Sequence, residues 1–197
     1  MLRDAASLIL FKDDDVRGLL VLMGLRNAGH KFLPNKMVFP GGGVDDADLI
    51  APIASPLPPA AQARLELGAS PGAAAGLAHA AARELEEETG LSLGTPPALH
   101  GLDYLCRAET PPAASIRFNA RFFVGPASLA KGILGGSGEL ETLDWYALAA
   151  LLELEVPLVT RKMLEQLQLW HAMSDAERLN RKGMVYRYPN WEEEQAL

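Results

Sequence analysis

Residues 71 to 89 constrain this chain more than any other stretch. Ser70 and Pro71 make a good helix start, a side-chain cap followed by proline at the first helical position. Alanines fill the body, which favours helix, and Gly90 supplies the C-terminal stop. On a wheel of about 100° per residue, Ala74, Ala78, Ala81 and Leu85 form one apolar stripe, small enough to let the helix lie close against a sheet. The helix ends in "RELEEETG", residues 83 to 90, with four glutamates. Helix C-termini carry partial negative charge and repel acids by roughly 0.3–1 kcal/mol each. Glu84, Glu87 and Glu88 fall within about 100° of one another beside the stripe, whereas Glu86 falls on the other side and is expected in solvent. A hard divalent cation, which prefers oxygen ligands, would reverse both the mutual repulsion and the dipole penalty. A solvated charged face is the other reading, and the glutamates alone leave both open.

The rest of the chain mixes strands and helices without regular alternation. "AASLILF" (5 to 11) and "GLLVLMGL" (18 to 25) read as a hairpin joined by "KDDDVR". Residues 31 to 43, "KFLPNKMVFPGGG", form a Pro/Gly-marked loop. The Ala/Pro-rich segment 51 to 72 is expected to hold one short helix over 59–67. Strands are predicted over 98–106 and 116–124, with a further strand entered after 135. An amphipathic helix is predicted over 157–173, continued by "SDAERLNRKG", with Met163, Leu164, Leu167 and Trp170 inward. "MVYRY" reads as a small final strand and residues 190–197 as a loose acidic tail. The pattern points to one α+β domain over 1–197 with a mixed sheet sandwiched between helices.

Composition narrows the function. A net charge of -7 argues against a general electrostatic grip on nucleic acid. It leaves room for a small phosphorylated ligand, since a bound cation supplies local positive charge. The single cysteine, Cys106, allows neither an internal disulfide nor a cysteine-based zinc site and is expected to be a buried thiol. No cleavable leader and no apolar run of roughly 20 residues is visible, so no membrane partner and a cytoplasmic location are expected.

The acidic helix end resembles the second half of the Nudix box of the Nudix hydrolases. Arg83, Glu84, Leu85, Glu87, Glu88, Gly90 and Leu91 fill every specified place of Arg-Glu-aliphatic-x-Glu-Glu-x-Gly-aliphatic. "FPGGGVDDAD" resembles the family's entry loop, with Gly42, five residues, then Asp48 in place of glutamate. Residues 49 to 82 then stand where the family spacer has seven residues, an insertion in the box (about 49–72) that is expected to shape the substrate cleft. The order of hairpin, loop, helix, strands, Trp145 and a further helix also follows the family, over about 4 to 170. "RNAGHKFLPNKMVFPGG" and the long insertion are similar to a subgroup that includes mammalian acyl-CoA diphosphatases. The stricter coenzyme A motif is absent, because Lys31 and Asn35 hold its Arg and Gly places.

The resemblance implies a Nudix fold (α/β/α) and hydrolysis of a nucleoside diphosphate linked to a second group, CoA or acyl-CoA among the candidates. ADP-ribose, nucleotide sugars and nucleoside triphosphates are the alternatives, as is a module that binds a nucleotide without cutting it. The implied cofactor is Mg²⁺ or Mn²⁺ on Glu84, Glu87, Glu88 and the Gly41 carbonyl. Arg83 is expected to orient a glutamate by charge-assisted hydrogen bonding. Glu139, six residues before Trp145, is the favoured base or extra ligand, with Glu141 next and Glu84 the rival base. Arg26, Lys31 and Gly42 are candidate substrate contacts. His30 could touch substrate phosphate but is expected to have no role, and His79 is expected to be a surface residue rather than a ligand, because it lies about 140° from Glu84 on the wheel. Phe32, Tyr104 and Trp145 are candidates for base stacking, with a core position the bland alternative. A homodimer is plausible from the family alone.

Overall fold

The computed structural model describes residues 2–29, 33–70 and 72–196. "ASLILF" is apolar without alternation because both faces of its strand are covered. Strand β1 (Arg3–Asp14) turns through residues 15–17 into β2 (Gly18–Arg26). In β1, Leu8 and Leu10 face one core while Ile9 and Phe11 face the other. Short strands β3 (Met37–Val38) and β4 (Gly41–Gly43) follow, the second pairing with the first half of β1. Then come α1 (Pro59–Leu67), α2 (Ala74–Thr89) and β5 (Leu91–Ser92). Strands β6 (Asp103–Glu109) and β7 (Phe118–Pro126) pair antiparallel, and β7 runs parallel to β1. After β8 (Lys131–Gly132), which pairs with β5, strand β9 (Leu140–Ala147) joins β2. Helices α3 (Leu148–Glu153), α4 (Leu158–Ala172) and α5 (Asp175–Asn180) lead to β10 (Met184–Arg187) and β11 (Asn190–Glu193).

The main sheet runs β11-β10-β6-β7-β1-β2-β3, with β4 beside β1 and β9 beside β2. Helices α1 and α2 cover one face and α3 and α4 the other, each with its own buried cluster. This is the expected α+β sandwich. The stripe Ala74, Ala78, Ala81, Leu85 is buried, as are Met163, Leu164, Leu167 and Trp170. Gly90 ends α2 in the left-handed region (φ 72°), its amide on the Glu86 carbonyl at 2.9 Å, the conformation that favours glycine there. Cys106 is buried with its thiol pKa pushed up by desolvation. Among the described residues no helix is long and apolar enough to cross a membrane.

The structure differs from the sequence reading in four places. Helix α2 begins at Ala74, and Ala73 is held by the Ser70 carbonyl rather than a side-chain cap; Pro71 lies outside the described residues. The strand predicted over 98–106 begins at Asp103, because Leu99 and Leu102 form a buried turn ahead of it. Helix α4 stops at Ala172 and α5 restarts separately, since Ser174 and Glu177 form a capping box. Nor are residues 190–194 of the expected 190–197 tail loose. Residues 190–193 form β11, and the Glu194 carboxylate is fully buried, accepting from Arg107 Nε at 2.6 Å and from the Tyr104 hydroxyl at 3.1 Å. Tyr104 is therefore core, away from any base-stacking surface.

Removing one partner of a buried ion pair strands the other charge. Glu194→Ala is expected to destabilise the fold by about 3–5 kcal/mol in denaturant titration. A loss under about 1 kcal/mol would show that Arg107 finds water or another acceptor.

Candidate active site

Strand β4 carries the glycines of the Pro-Gly-Gly loop across the last turns of α2. A Cβ on Gly42 would lie 2.5 Å from the Glu84 carboxyl carbon and push that carboxylate aside, and one on Gly41 would lie 2.6 Å from the Ala6 carbonyl oxygen of the paired strand, so glycine lets this backbone lie close to both. The Gly41 amide donates to Glu88 at 2.8 Å, and the Gly41 carbonyl accepts from Arg26 at 3.4 Å. The Asn27 amide on the Glu139 carbonyl (2.9 Å) fixes the start of β9 beside them. Glu84, Glu87, Glu88 and Glu139 thereby line one cavity of about 550 Å³, together with Gly41, Gly42 and Arg26.

The carboxylates differ in environment. Glu88 is 2 % exposed, and burial pushes its pKa up to about 7, against the opposing pull of the Gly41 amide and the Arg26 charge. The negative charges of Glu84 and Glu139 push it the same way as burial. Burial also raises Glu84, with Arg83 opposing and Glu87 and Glu139 adding. Glu87 is exposed and Glu86 points away, its carboxylate accepting from Ser92 at 2.7 Å.

Arg83 organises this face. Its Nε and Nη2 bind both oxygens of Asp48 at 3.0 Å, its Nη1 binds Glu84 (2.8 Å) and Glu87 (3.1 Å), and Nη2 also reaches the Gly43 carbonyl (3.0 Å). Asp48, 2 % exposed, also accepts from the Asp45 amide at 2.9 Å and meets His79 Nδ1 at 2.9 Å. His79 is thus not an idle surface histidine; the wheel angle to Glu84 gave no sign that Asp48 would arrive on its side of the helix. No described residue of 49–72 lines this cavity; Pro52 borders a second hollow behind α2 beside His79.

The remaining candidates separate cleanly. Arg26 and Gly42 are in the cavity; Lys31, His30 and Phe32 lie outside the described residues. Glu141 accepts from Asn27 Nδ2 at 2.8 Å, leaving Glu139 as the carboxylate of that loop on the cavity. Trp145 packs on the α2-side core with the Lys12 ammonium 4.4 Å over its ring.

The donor set fits a hard divalent cation: carboxylate and carbonyl oxygens, in excess over positive charge, with two carboxylates desolvated. Among the described residues no three acidic or histidine side chains are already drawn to one point, because Arg83 holds Glu84 and Glu87 while the Gly41 amide holds Glu88.

No family model matches the chain, and no curated protein matches it. Solved structures do. A NUDIX hydrolase from Alicyclobacillus acidocaldarius is 23% identical, covering 84% of this chain and 90% of its own, with a TM-score of 0.63. The NUDIX domain of Shewanella oneidensis NrtR, complexed with ADP ribose, is 17% identical over 86% and 88%, with a TM-score of 0.57. A C. elegans Ap4A hydrolase in a binary complex is 14% identical over 87% and 98%, with a TM-score of 0.52. The chain has the Nudix fold.

Burial raises the Asp48 pKa, but hydrogen bonds from Arg83, the Asp45 amide and His79 outweigh it and hold the carboxyl below its ordinary value. Such a depressed acid adds stability above its unfolded pKa, and that stability is lost as pH falls through the folded pKa. In acid denaturation series below about pH 4, Asp48→Asn is therefore expected to flatten the fall in stability. A curve parallel to the wild type would contradict the assignment.

Proposed function

We propose that this chain is a Nudix hydrolase, a Mg²⁺- or Mn²⁺-dependent diphosphatase acting on a nucleoside diphosphate linked to a second group. The observation that carries the reading is the meeting of Glu84, Glu87, Glu88 and Glu139 with the Pro-Gly-Gly backbone on one cavity. A nucleotide-binding module without turnover would have no need of all the box glutamates. CoA and acyl-CoA compounds are candidate substrates, alongside ADP-ribose and nucleotide sugars.

Glu84, Glu87, Glu88 and the Gly41 carbonyl are the groups that would hold the cation. Bound there, it would neutralise the diphosphate and make the attacking water more acidic. Arg83 pairs with Glu84 and Glu87 and offsets their mutual repulsion before a cation arrives. Arg26, which lines the same cavity and donates to the Gly41 carbonyl, offers its guanidinium to diphosphate oxygens. Glu139 is the proposed base: its carboxylate takes the water proton as the water oxygen bonds to phosphorus. The bond from phosphorus to the bridging oxygen breaks, and its electron pair leaves with the departing phosphate.

A diphosphate panel with Mg²⁺ tests this. EDTA is expected to abolish turnover and Mg²⁺ or Mn²⁺ to restore it. Glu88→Gln is expected to lower kcat by ~10²-fold or more, and Glu86→Gln by less than ~2-fold. Equal losses in the two variants would remove the helix-face assignment.

A further inference from the structure

The cavity continues well past the carboxylates. Its floor follows one straight cross-strand row: Gly43 of β4, Ala5 of β1, Ala120 of β7, Ala108 of β6 and Tyr186 of β10 are successive partners in the sheet. All five line it. Four strand spacings make this groove roughly 19 Å long, more than a diphosphate needs. Gly and Ala keep the floor low, which is why a cavity exists where larger side chains would fill the sheet face. Phe118, Phe122 and the first residues of α4, Leu158 and Val159, make its sides.

At the far end stands the β10–β11 hairpin. Tyr186 is buried against Trp191, with ring centroids 5.2 Å apart, whereas Tyr188 lines the cavity while 61% exposed. An aromatic ring left open at a cavity mouth is available to a ligand. The hairpin is rigidly placed, because Glu194 just after β11 is locked to Arg107 and Tyr104.

The one carboxylate among the described residues lining this end of the cavity, Glu109, is already paired. Glu109 lines the cavity and accepts from Arg187 at 3.0 and 2.8 Å and from Arg107 at 2.6 Å. Arg187 also binds Glu192, and Arg107 also binds Glu194, so both guanidinium partners of Glu109 are already engaged elsewhere. The bonds from Arg187 keep Glu109 ionised, its pKa below the ordinary value despite burial. A phosphate or carboxylate arriving here would be desolvated beside the Glu109 carboxylate, whose guanidinium partners are already engaged, which is unfavourable without a new partner.

We propose that this groove receives the group attached to the diphosphate, that the group it selects is apolar and uncharged, and that Tyr188 on the anchored C-terminal hairpin is the residue that selects it. The inference rests on the diphosphatase reading for the position of the diphosphate at Glu84, Glu87 and Glu88.

Methylene-bridged ADP analogues, which cannot be cut, test it apart from turnover. Three would carry a benzyl, a ribosyl or a phosphoribosyl group, and binding to the full chain with Mg²⁺ would be read by calorimetry. The benzyl analogue is expected to bind at least ~10-fold tighter than the phosphoribosyl one. Tyr188→Ala is expected to shrink that ratio below ~3-fold, and Tyr188→Phe to retain it, with thermal melts confirming that both variants fold. Equal or tighter binding of the phosphoribosyl analogue, no binding of the benzyl one, or an unchanged ratio in Tyr188→Ala would overturn the proposal. Failure of the diphosphatase reading would show differently, as cleavable parent compounds that bind with Mg²⁺ and remain intact.

Discussion

The guanidinium of Arg83 is the joint on which the site depends. Its five donors have five acceptors, supplied by Asp48, Glu84, Glu87 and the Gly43 carbonyl. That set ties the glycine loop, the turn after it and the last turns of α2 into one body. Asp48 is buried, so loss of Arg83 would leave a desolvated charge unpaired. The clamp also explains how residues 49–82 can separate Asp48 from Arg83 without disturbing the site. Loop-closure entropy rises only slowly with length, and α1 anchors the intervening segment by burying Ala61 and Leu65.

One cation cannot balance this face. After Arg83 has engaged Asp48, Glu84 and Glu87, the carboxylates of Glu88 and Glu139 still act on the same cavity, with Arg26 the opposing charge at Glu88. Burial makes the imbalance expensive at Glu88, whose pKa rises to about 7. A solvated charged face, the bland reading of four glutamates in a row, would show exposed carboxylates near their ordinary pKa. Glu86 and Glu87 are exposed, Glu86 turned outward toward Ser92, whereas burial raises the pKa of both Glu84 and Glu88.

Features governed by local chemistry were legible in the sequence. Helix α1 occupies the residues expected of it, Gly90 ends α2, and the inward face of α4 follows its apolar periodicity. The acidic face was legible for the same reason, since helix geometry alone brings residues 84, 87 and 88 together. What escaped depends on partners far along the chain. Asp48 meets His79 across 31 residues, and Glu194 meets Arg107 across 87. The terminal "EEEQAL" looked loose because acidity usually marks solvation; nothing local showed that one of its glutamates would be drawn into the core by a buried arginine. The groove floor was equally hidden, since its alanines become a row only through sheet register.

The most direct test of a cation-requiring site is calorimetric titration of Mg²⁺ or Mn²⁺ into metal-free protein at pH 6 and pH 8, in buffers of different ionisation heat. A raised acid is protonated below its pKa and must lose that proton to become a ligand. With Glu88 near 7, binding should release close to one proton at pH 6, almost none at pH 8, and be tighter at pH 8. No binding, or equal affinity at both pH values without proton release, would contradict a divalent cation held by this helix end.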